Sequence, residues 1–192
     1  MRAQHAVVEI RRAGAGDAQG IARTHIRSWQ GAYRDILPDS FLNSLDVVAR
    51  AERWRETLQP STEGRITFLA ELHAEIIGFV SCGPERDGLV VDGVAYDGEI
   101  YALYLAPEHQ RRGIGRRLVA KAAQSLLERG TRSIVIWALK DNKPARAFYE
   151  LLGGVLLGEK NITIGGAYDL LDVAYGWPDA QTLAYAVQGA NE

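Results

Sequence analysis

The chain has 192 residues, 47% of them hydrophobic, and a formal net charge of -2. This length and composition are enough for one domain with a substantial core. The weak negative charge gives no general attraction to nucleic acid or anionic membranes, and no apolar run approaches the roughly 20 residues of a membrane span. The N-terminal residues carry charge without the apolar region of a secretory signal, so we expect a cytoplasmic protein.

Cys82 is the only cysteine. A single cysteine excludes an internal disulfide and any multi-cysteine metal site, and we interpret it as a small buried hydrophobic residue. No histidine or acidic residues have the spacing of metal ligands, so no metal is expected.

The N-terminal part of the chain predicts a strand followed by helices. Apolar residues alternate with charged ones over 6–11, which is typical of a strand with one buried face. Asp17 is the expected N-cap of a helix that reaches about Tyr33. A short helix is predicted from Pro38, and another over 47–58.

The middle of the chain predicts three strands. The β-rich runs 65–72 and 75–82 are separated by two residues and therefore predict a hairpin. The polar, glycine-rich segment 83–98 predicts a loop that ends in the next strand. A third run, 99–105, contains apolar and aromatic residues that favour a strand.

The next segment predicts a helix and a buried strand. An apolar row over 113–129 indicates an amphipathic helix, which Gly130 ends. The row contains Ile114, Leu118, Ala122 and Leu126. The nearly continuous apolar run 133–139 is typical of a strand that is covered on both faces.

The C-terminal part predicts one more helix and a pair of strands. Asn142 is the expected N-cap of the helix. Its inward-facing residues are predicted to be Phe148, Leu151 and Leu152. Strands are predicted over 155–164 and 168–177. The order of elements indicates a mixed α/β sheet, with a single domain over 1–178 and a peripheral tail over 179–192.

The segment 99–115 has the order strand, glycine-containing loop, helix start. Unpaired N–H groups and the positive end of the helix dipole favour a phosphate at such a helix start, and Gly113 and Gly115 allow its close approach. A dinucleotide-binding fingerprint would need glycine in place of Leu118, and the chain contains no P-loop sequence.

Two motifs resemble those of the GNAT acetyltransferases. Residues 110–115 are similar to the acyl-CoA-binding pattern R/Q-x-x-G-x-G/A, and residues 142–149 resemble the pattern N-x-x-A-x-x-F-Y. The resemblance implies a GNAT fold, a mixed and mostly antiparallel seven-stranded sheet flanked by helices, with a splayed central strand pair. It also implies acetyl-CoA as the co-substrate. Gly154 departs from the family, which usually has Phe there, and we expect looser local packing.

The resemblance implies that the CoA pyrophosphate rests on the amides of 110–115, and that strand residues near 103–105 bind pantetheine. It also implies that Arg111, Arg112, Arg116 and Arg117 add positive charge near the phosphates, although these arginines are equally typical of a solvated helix face. Helix capping explains Asn142 as well as a contact with CoA does. The implied contacts of acetyl-CoA are Leu103, Tyr104, Leu105, Gln110, Arg111, Arg112, Gly113, Ile114, Gly115, Arg116, Asn142, Ala145 and Phe148.

Two residues match catalytic positions of the family. Glu99 matches a general-base glutamate; with an ordinary pKa of about 4.3 against about 10.4 for a lysine-like ammonium, it needs burial or a water relay. The alternative is a strand-end glutamate facing solvent. Tyr149 aligns with a tyrosine that donates to the departing CoA sulfur, and the alternative is a core tyrosine beside Phe148.

His25, Trp29 and Tyr33 lie about one turn apart on the first predicted helix, which lines the acceptor site in related enzymes. Packing explains Trp29 as well.

The sequence therefore indicates an acetyl-CoA-dependent N-acetyltransferase that acts on a primary amine of a small molecule or peptide. The alternative is a catalytically silent acyl-CoA-binding sensor or assembly module. A homodimer fits the habit of the family, whereas nucleic-acid and membrane partners are not expected.

Overall fold

The computed structural model describes residues 7–59 and 64–186. The strands are β1 (Glu9–Arg12), β2 (Ile66–Leu72), β3 (Glu75–Pro84), β4 (Val90–Val91), β5 (Val94–Ala95), β6 (Gly98–Leu105), β7 (Ile134–Leu139), β8 (Val155–Ile164) and β9 (Tyr168–Trp177). The α-helices are α1 (Ala18–Ala32), α2 (Asp39–Asn43), α3 (Val47–Thr57), α4 (Ile114–Leu127), α5 (Lys143–Leu151) and α6 (Ala180–Ala186).

Seven strands form one sheet in the order β1-β2-β3-β6-β7-β9-β8. Every neighbouring pair is antiparallel except β6 and β7, which are parallel. The mixed, mostly antiparallel sheet confirms the predicted fold class. None of the helices in the described residues is long and apolar enough to cross a membrane.

The central strands β6 and β7 pair only at one end. Their register covers residues 98–100 and 134–136, after which β6 continues beside β3 and β7 continues beside β9. Backbone groups of 101–105 that face β7 therefore have no strand partner, and such groups need hydrogen bonds from elsewhere. This opening, which we call the splay, confirms the predicted separation near Leu103 to Leu105.

A β-bulge in β6 changes which side chains share a face. The β3–β6 register leaves Tyr101 without a partner. Ile100 and Leu103 consequently pack into the same core, against α4, although strict alternation would separate them. Glu99 shares the opposite face with Tyr104, and α1 and α3 pack against that face of the β3–β6 region.

The core on the α4 side is built as the sequence predicts. The buried face of α4 contains the predicted row Ile114, Leu118, Ala122 and Leu126. Cys82 is 1% exposed within this core, which confirms the interpretation of the lone cysteine as a small buried residue.

Some local predictions were wrong. Asp17 is the N-cap residue of α1, as predicted, but its carboxylate accepts hydrogen bonds from the Gly14 N–H and from Arg11 instead of from a helix N–H. The segment 83–98 leads into β6 as predicted but is not a simple loop, because it contains the end of β3 and the small β4–β5 hairpin. Leu151 is 67% exposed rather than facing inward.

The C-terminal segment also differs from the expected peripheral tail. Residues 180–186 form α6, and its Ala180 and Leu183 are fully buried in the core that α4 lines. This part of 179–192 therefore belongs to the domain, whereas 187–192 lie outside the described residues.

The expected loose packing at Gly154 was wrong as well. A Cβ at this position would lie 2.8 Å from Cζ2 of Trp177 and 3.0 Å from the Tyr149 carbonyl oxygen. The buried Trp177 indole fills the space, and its Nε1 donates to the Leu152 carbonyl at 2.8 Å. Glycine is required there because two other groups already occupy the volume of a side chain.

Candidate active site

The loop between β6 and α4 turns through two left-handed residues, Arg111 with φ of 58° and Gly113 with φ of 76°. Gln110 donates from Nε2 to the Leu105 carbonyl at 3.2 Å and ties the loop to the end of β6. The first-turn N–H groups of α4 have no acceptor within the helix and carry the positive end of its dipole. The loop therefore presents an anion-binding helix start beside the splay.

Glycine has a different explanation at each of its two positions in this motif. Gly113 has a left-handed backbone conformation, which glycine adopts more easily than residues with a side chain. At Gly115 a Cβ would meet only the Phe148 ring at 3.5 Å, an ordinary contact, so packing within the chain does not demand glycine there. Close approach of a phosphate at Gly115 stays a prediction. Arg111 and Arg112 are exposed beside it.

Asn142 caps α5, as one of its two predicted roles requires. Its Oδ1 accepts from the Ala145 N–H at 3.3 Å, and the residue is 9% exposed. The capping role is thus confirmed. Contacts of Asn142, Ala145 and Phe148 with acetyl-CoA stay predictions.

Tyr149 is a buried donor near the splay. It is 6% exposed, and its ring lies 5.7 Å from that of Phe148 and 5.9 Å from that of Tyr175. Burial, and to a smaller extent the neighbouring Tyr104, raise its pKa well above the ordinary range. Its hydroxyl hydrogen-bonds to no other described residue. Tyr149 therefore keeps its proton at neutral pH and has it free to donate.

Aromatic side chains gather around Tyr104, on the splayed part of β6. The Tyr104 ring stacks on His25 with centroids 4.8 Å apart, and its hydroxyl lies 3.2 Å from that of Tyr33. Trp29 contacts both His25 and Tyr33, at 5.5 and 5.2 Å. Burial raises the pKa of both tyrosines. Trp29 and Tyr33 thus lie beside the splay, and their contact with an acceptor stays a prediction.

His25 is a neutral member of this cluster. Trp54 donates from Nε1 to His25 Nδ1 at 3.2 Å, so the proton of the neutral ring is on Nε2. Burial, and secondarily the charge of Arg50, lower the pKa of His25 to about 3. Its buried Nε2 has no hydrogen-bond partner among the described residues.

Glu99 is 2% exposed and pairs with Arg86 through two hydrogen bonds of 2.9 and 2.5 Å. The alternative of a strand-end glutamate facing solvent was therefore wrong. Glu99 stands opposite Val135, where β6 and β7 are still paired. Leu103 lies four residue steps further along the strand, roughly 13 Å away. Its catalytic role stays a prediction, and this distance favours the water relay over direct contact.

Three charged residues of this region escaped the sequence analysis. Arg50 lies on the face of α3 that buries Ala51 and Trp54, and a charge on such a face was a usable signal. Asp172 occupies the same face of β9 as Leu170 and Ala174, which was a second signal.

The third residue, Arg86, follows β3 in a polar segment, where nothing in the sequence distinguishes it.

No cluster of three His, Cys, Asp or Glu side chains able to hold a metal occurs in the part of the chain that the structure describes.

A splayed parallel strand pair, an anion-binding helix start and a buried tyrosine donor together have the layout of an N-acetyltransferase. The chain belongs to the acetyltransferase (GNAT) family, whose model matches residues 28–153. It is 36% identical over 178 residues to the uncharacterized N-acetyltransferase YuaI of Bacillus subtilis, covering 92% of this chain and 96% of that protein. An uncharacterized N-acetyltransferase of Archaeoglobus fulgidus is 30% identical over 74% of this chain and 89% of its own length.

Solved structures share the fold. The PaiA N-acetyltransferase of Thermoplasma acidophilum, in complex with coenzyme A, superposes with a TM-score of 0.68 over 87% of this chain and 98% of that one, at 19% identity. The yncA structure from Salmonella typhimurium, with acetyl-CoA, superposes with a TM-score of 0.60 over 88% of this chain and 92% of that one, at 21% identity. The family membership makes this chain an N-acetyltransferase.

Proposed function

We propose that the chain binds acetyl-CoA across the loop 110–115 and the splay, and transfers its acetyl group to a primary amine of a small molecule or peptide. The observation that carries this proposal is the opening between β6 and β7, which the anion-binding loop and Tyr149 flank. Solved relatives of the same fold with coenzyme A or acetyl-CoA support the donor.

The loop and the strand fit different parts of acetyl-CoA. The amides at the start of α4 bind the pyrophosphate, and the exposed Arg111 and Arg112 add positive charge near the phosphates. The absent side chain at Gly115 leaves room for this approach. Unpaired backbone groups of 103–105 extend hydrogen bonds to the pantetheine arm, as an added strand would.

The reaction is a direct attack. The free amine adds to the thioester carbonyl carbon, the C–N bond forms, and the C–S bond breaks with the sulfur leaving as thiolate. An unpaired N–H of β6 that faces the splay stabilises the negative charge on the carbonyl oxygen. Such a donor is fixed in place by the sheet before the reaction begins.

Tyr149 serves the leaving sulfur. Because burial keeps its hydroxyl protonated, it donates a hydrogen bond to the thiolate as charge develops there. The Tyr149 ring packs against the rings of Phe148 and Tyr175, and no described residue accepts a hydrogen bond from its hydroxyl. The hydroxyl proton is therefore available.

The proton lost by the amine goes to Glu99 through intervening water. Arg86 holds the Glu99 carboxylate in place through two hydrogen bonds. Asp172 is the competing acceptor, because it lies on the face that carries the aromatic cluster and its pKa is raised by burial.

The test of the function is the release of CoA thiol from acetyl-CoA over a panel of amines. Tyr149→Phe is expected to lower kcat at least tenfold, about 1.4 kcal/mol in the barrier, with binding of acetyl-CoA retained. Tyr185→Phe is the matched control, because Tyr185 is 66% exposed on α6, and it should leave kcat unchanged.

Comparison of Glu99→Gln with Asp172→Asn assigns the proton acceptor. The true base is the residue whose loss removes the rise of kcat/KM with pH. Binding of acetyl-CoA without turnover on any amine would support the silent sensor instead, and failure to bind acetyl-CoA would reject both.

A further inference from the structure

Arg50 is a half-buried cation without an anionic partner. Its guanidinium lies 5.3 Å from the centroid of the Trp29 ring and forms no ion pair or hydrogen bond with another described residue. Burial, and then the neighbouring Arg53, lower its pKa. A guanidinium among aromatic rings that lacks an anionic partner can bind a carboxylate or phosphate supplied by a ligand.

Asp172 is a second charged residue without a side-chain partner among the described residues, and its charge is opposite to that of Arg50. The residue pairs in register with Leu139 at the open end of β7, on the face that packs against Tyr33. Its carboxylate makes no hydrogen bond or ion pair with another described side chain. Lys160, its partner across β8 and β9, donates instead to Asp87 at 2.6 Å.

Contacts within the aromatic cluster link Tyr104 to the surroundings of both charges. On one side its ring stacks on His25, which contacts the Trp29 ring under the Arg50 guanidinium. On the other side its hydroxyl meets that of Tyr33, which packs on Leu139 next to Asp172. The charges of Arg50 and Asp172 act on the Tyr104 hydroxyl in opposite directions, which places both within electrostatic range of it.

The buried His25 Nε2–H, which finds no acceptor in the described part of the chain, belongs to the same cluster. A buried N–H without a partner is costly, and a ligand oxygen or a water satisfies it.

We propose that the acceptor is an amino acid, with its carboxylate bound by Arg50 and its ammonium bound by Asp172 beside the aromatic cluster that contains Tyr104. This inference rests on the proposed acetyl transfer and names its substrate class. A compact zwitterion supplies both missing partners at once. A polyamine would leave Arg50 unpaired beside an added positive charge, which is unfavourable.

The experiment compares L-leucine and L-phenylalanine with their methyl esters, which keep the amine and remove the negative charge. The free acids should have a kcat/KM roughly 10- to 100-fold above the esters, the range of one charge-assisted hydrogen bond. Arg50→Gln should bring the two values together and leave the KM for acetyl-CoA unchanged. Arg50→Lys should restore part of the preference.

Arg53→Gln is the matched control, because Arg53 is an exposed arginine on the same helix. It should keep the preference for the acid. Asp172→Asn should raise the KM for acid and ester alike, since both carry the ammonium.

Calorimetric binding of the same acids and esters to the protein with CoA gives a readout that does not need turnover. Tighter binding of the acid that depends on Arg50 supports the inference even where no acetylation is found, and in that case only the proposed function fails. Equal turnover and equal binding of acid and ester by the natural chain would overturn the inference and leave the acetyltransferase function standing.

Discussion

His25 shows how burial fixes the protonation of a single side chain. Its ring contacts Trp29, Trp54, Phe79 and Tyr104, and its Nδ1 accepts the Trp54 N–H. A charged imidazolium there would lose its hydration and this hydrogen bond, so the pKa falls to about 3. The aromatic cluster around Tyr104 therefore keeps a neutral histidine throughout the physiological pH range.

This burial predicts sensitivity to acid. The unfolded chain binds a proton at His25 below pH about 6.5, whereas the folded chain does so only near 3. Stability from this residue is therefore complete above about 6.5 and declines as pH falls toward 3, by up to about 1.4 kcal/mol per pH unit. Between pH 6.5 and 5, the free energy of unfolding should fall about 1.5–2 kcal/mol more in the natural chain than in His25→Asn.

Denaturant titrations at both pH values measure the difference. His73→Asn is the control, because His73 lies in the exposed turn between β2 and β3 with a positive φ that asparagine tolerates. An equal pH dependence in His25→Asn and the natural chain would contradict the explanation.

At the scale of elements, α6 is the unexpected contributor to stability. Its sequence offers only a short apolar pattern, yet Leu183 is completely buried in the core that α4 lines. Leu183→Ala should lower the free energy of unfolding by about 2–5 kcal/mol, because it leaves a cavity in a packed core.

Tyr185→Ala on the exposed face of the same helix should change this free energy by less than about 0.5 kcal/mol. Urea titration of both variants checks the prediction. A small loss in Leu183→Ala would return α6 to the peripheral role that the sequence indicated.

The longer elements could be predicted because their periodicity is strong. The apolar row of α4 and the continuous run of β7 specify both the element and its buried face. The bulge at Tyr101 could not be predicted, because it arises from the register with β3 rather than from the strand's own residues. The two-residue strands β4 and β5 carry too few residues for any pattern.

Only part of the candidate site could be predicted from the sequence. The loop 110–115 and Tyr149 occur in local motifs. Arg50 and Asp172 belong to different elements, and only the fold brings them to the same group of aromatic rings. Their common signal was a charge on a face that otherwise packs inward. That signal marks each residue separately and does not show that the two lie near the same rings.

At the scale of the whole molecule, Cys82 reports on cooperative unfolding. It is 1% exposed between the sheet and α4, and burial raises the pKa of its thiol to about 12. The native thiol is therefore both inaccessible and protonated at pH 8, and only the thiolate reacts with disulfide reagents.

We expect the rate of modification by a thiol reagent to follow the rate or population of global opening. Leu183→Ala should accelerate the modification, and Tyr185→Ala should not. Rapid modification of the natural chain under native conditions would show that β3 opens locally.

The splay has a consequence for the connectivity of the molecule. Only three register pairs join β6 to β7, and the strands on each side of them come from contiguous stretches of chain. A cut at the exposed turn of Gly130 would give two fragments, each carrying a complete half of the sheet. One fragment would hold Arg50 and the loop 110–115, and the other Tyr149 and Asp172. Acetyl transfer by the mixed fragments would then be a direct signal of their complementation.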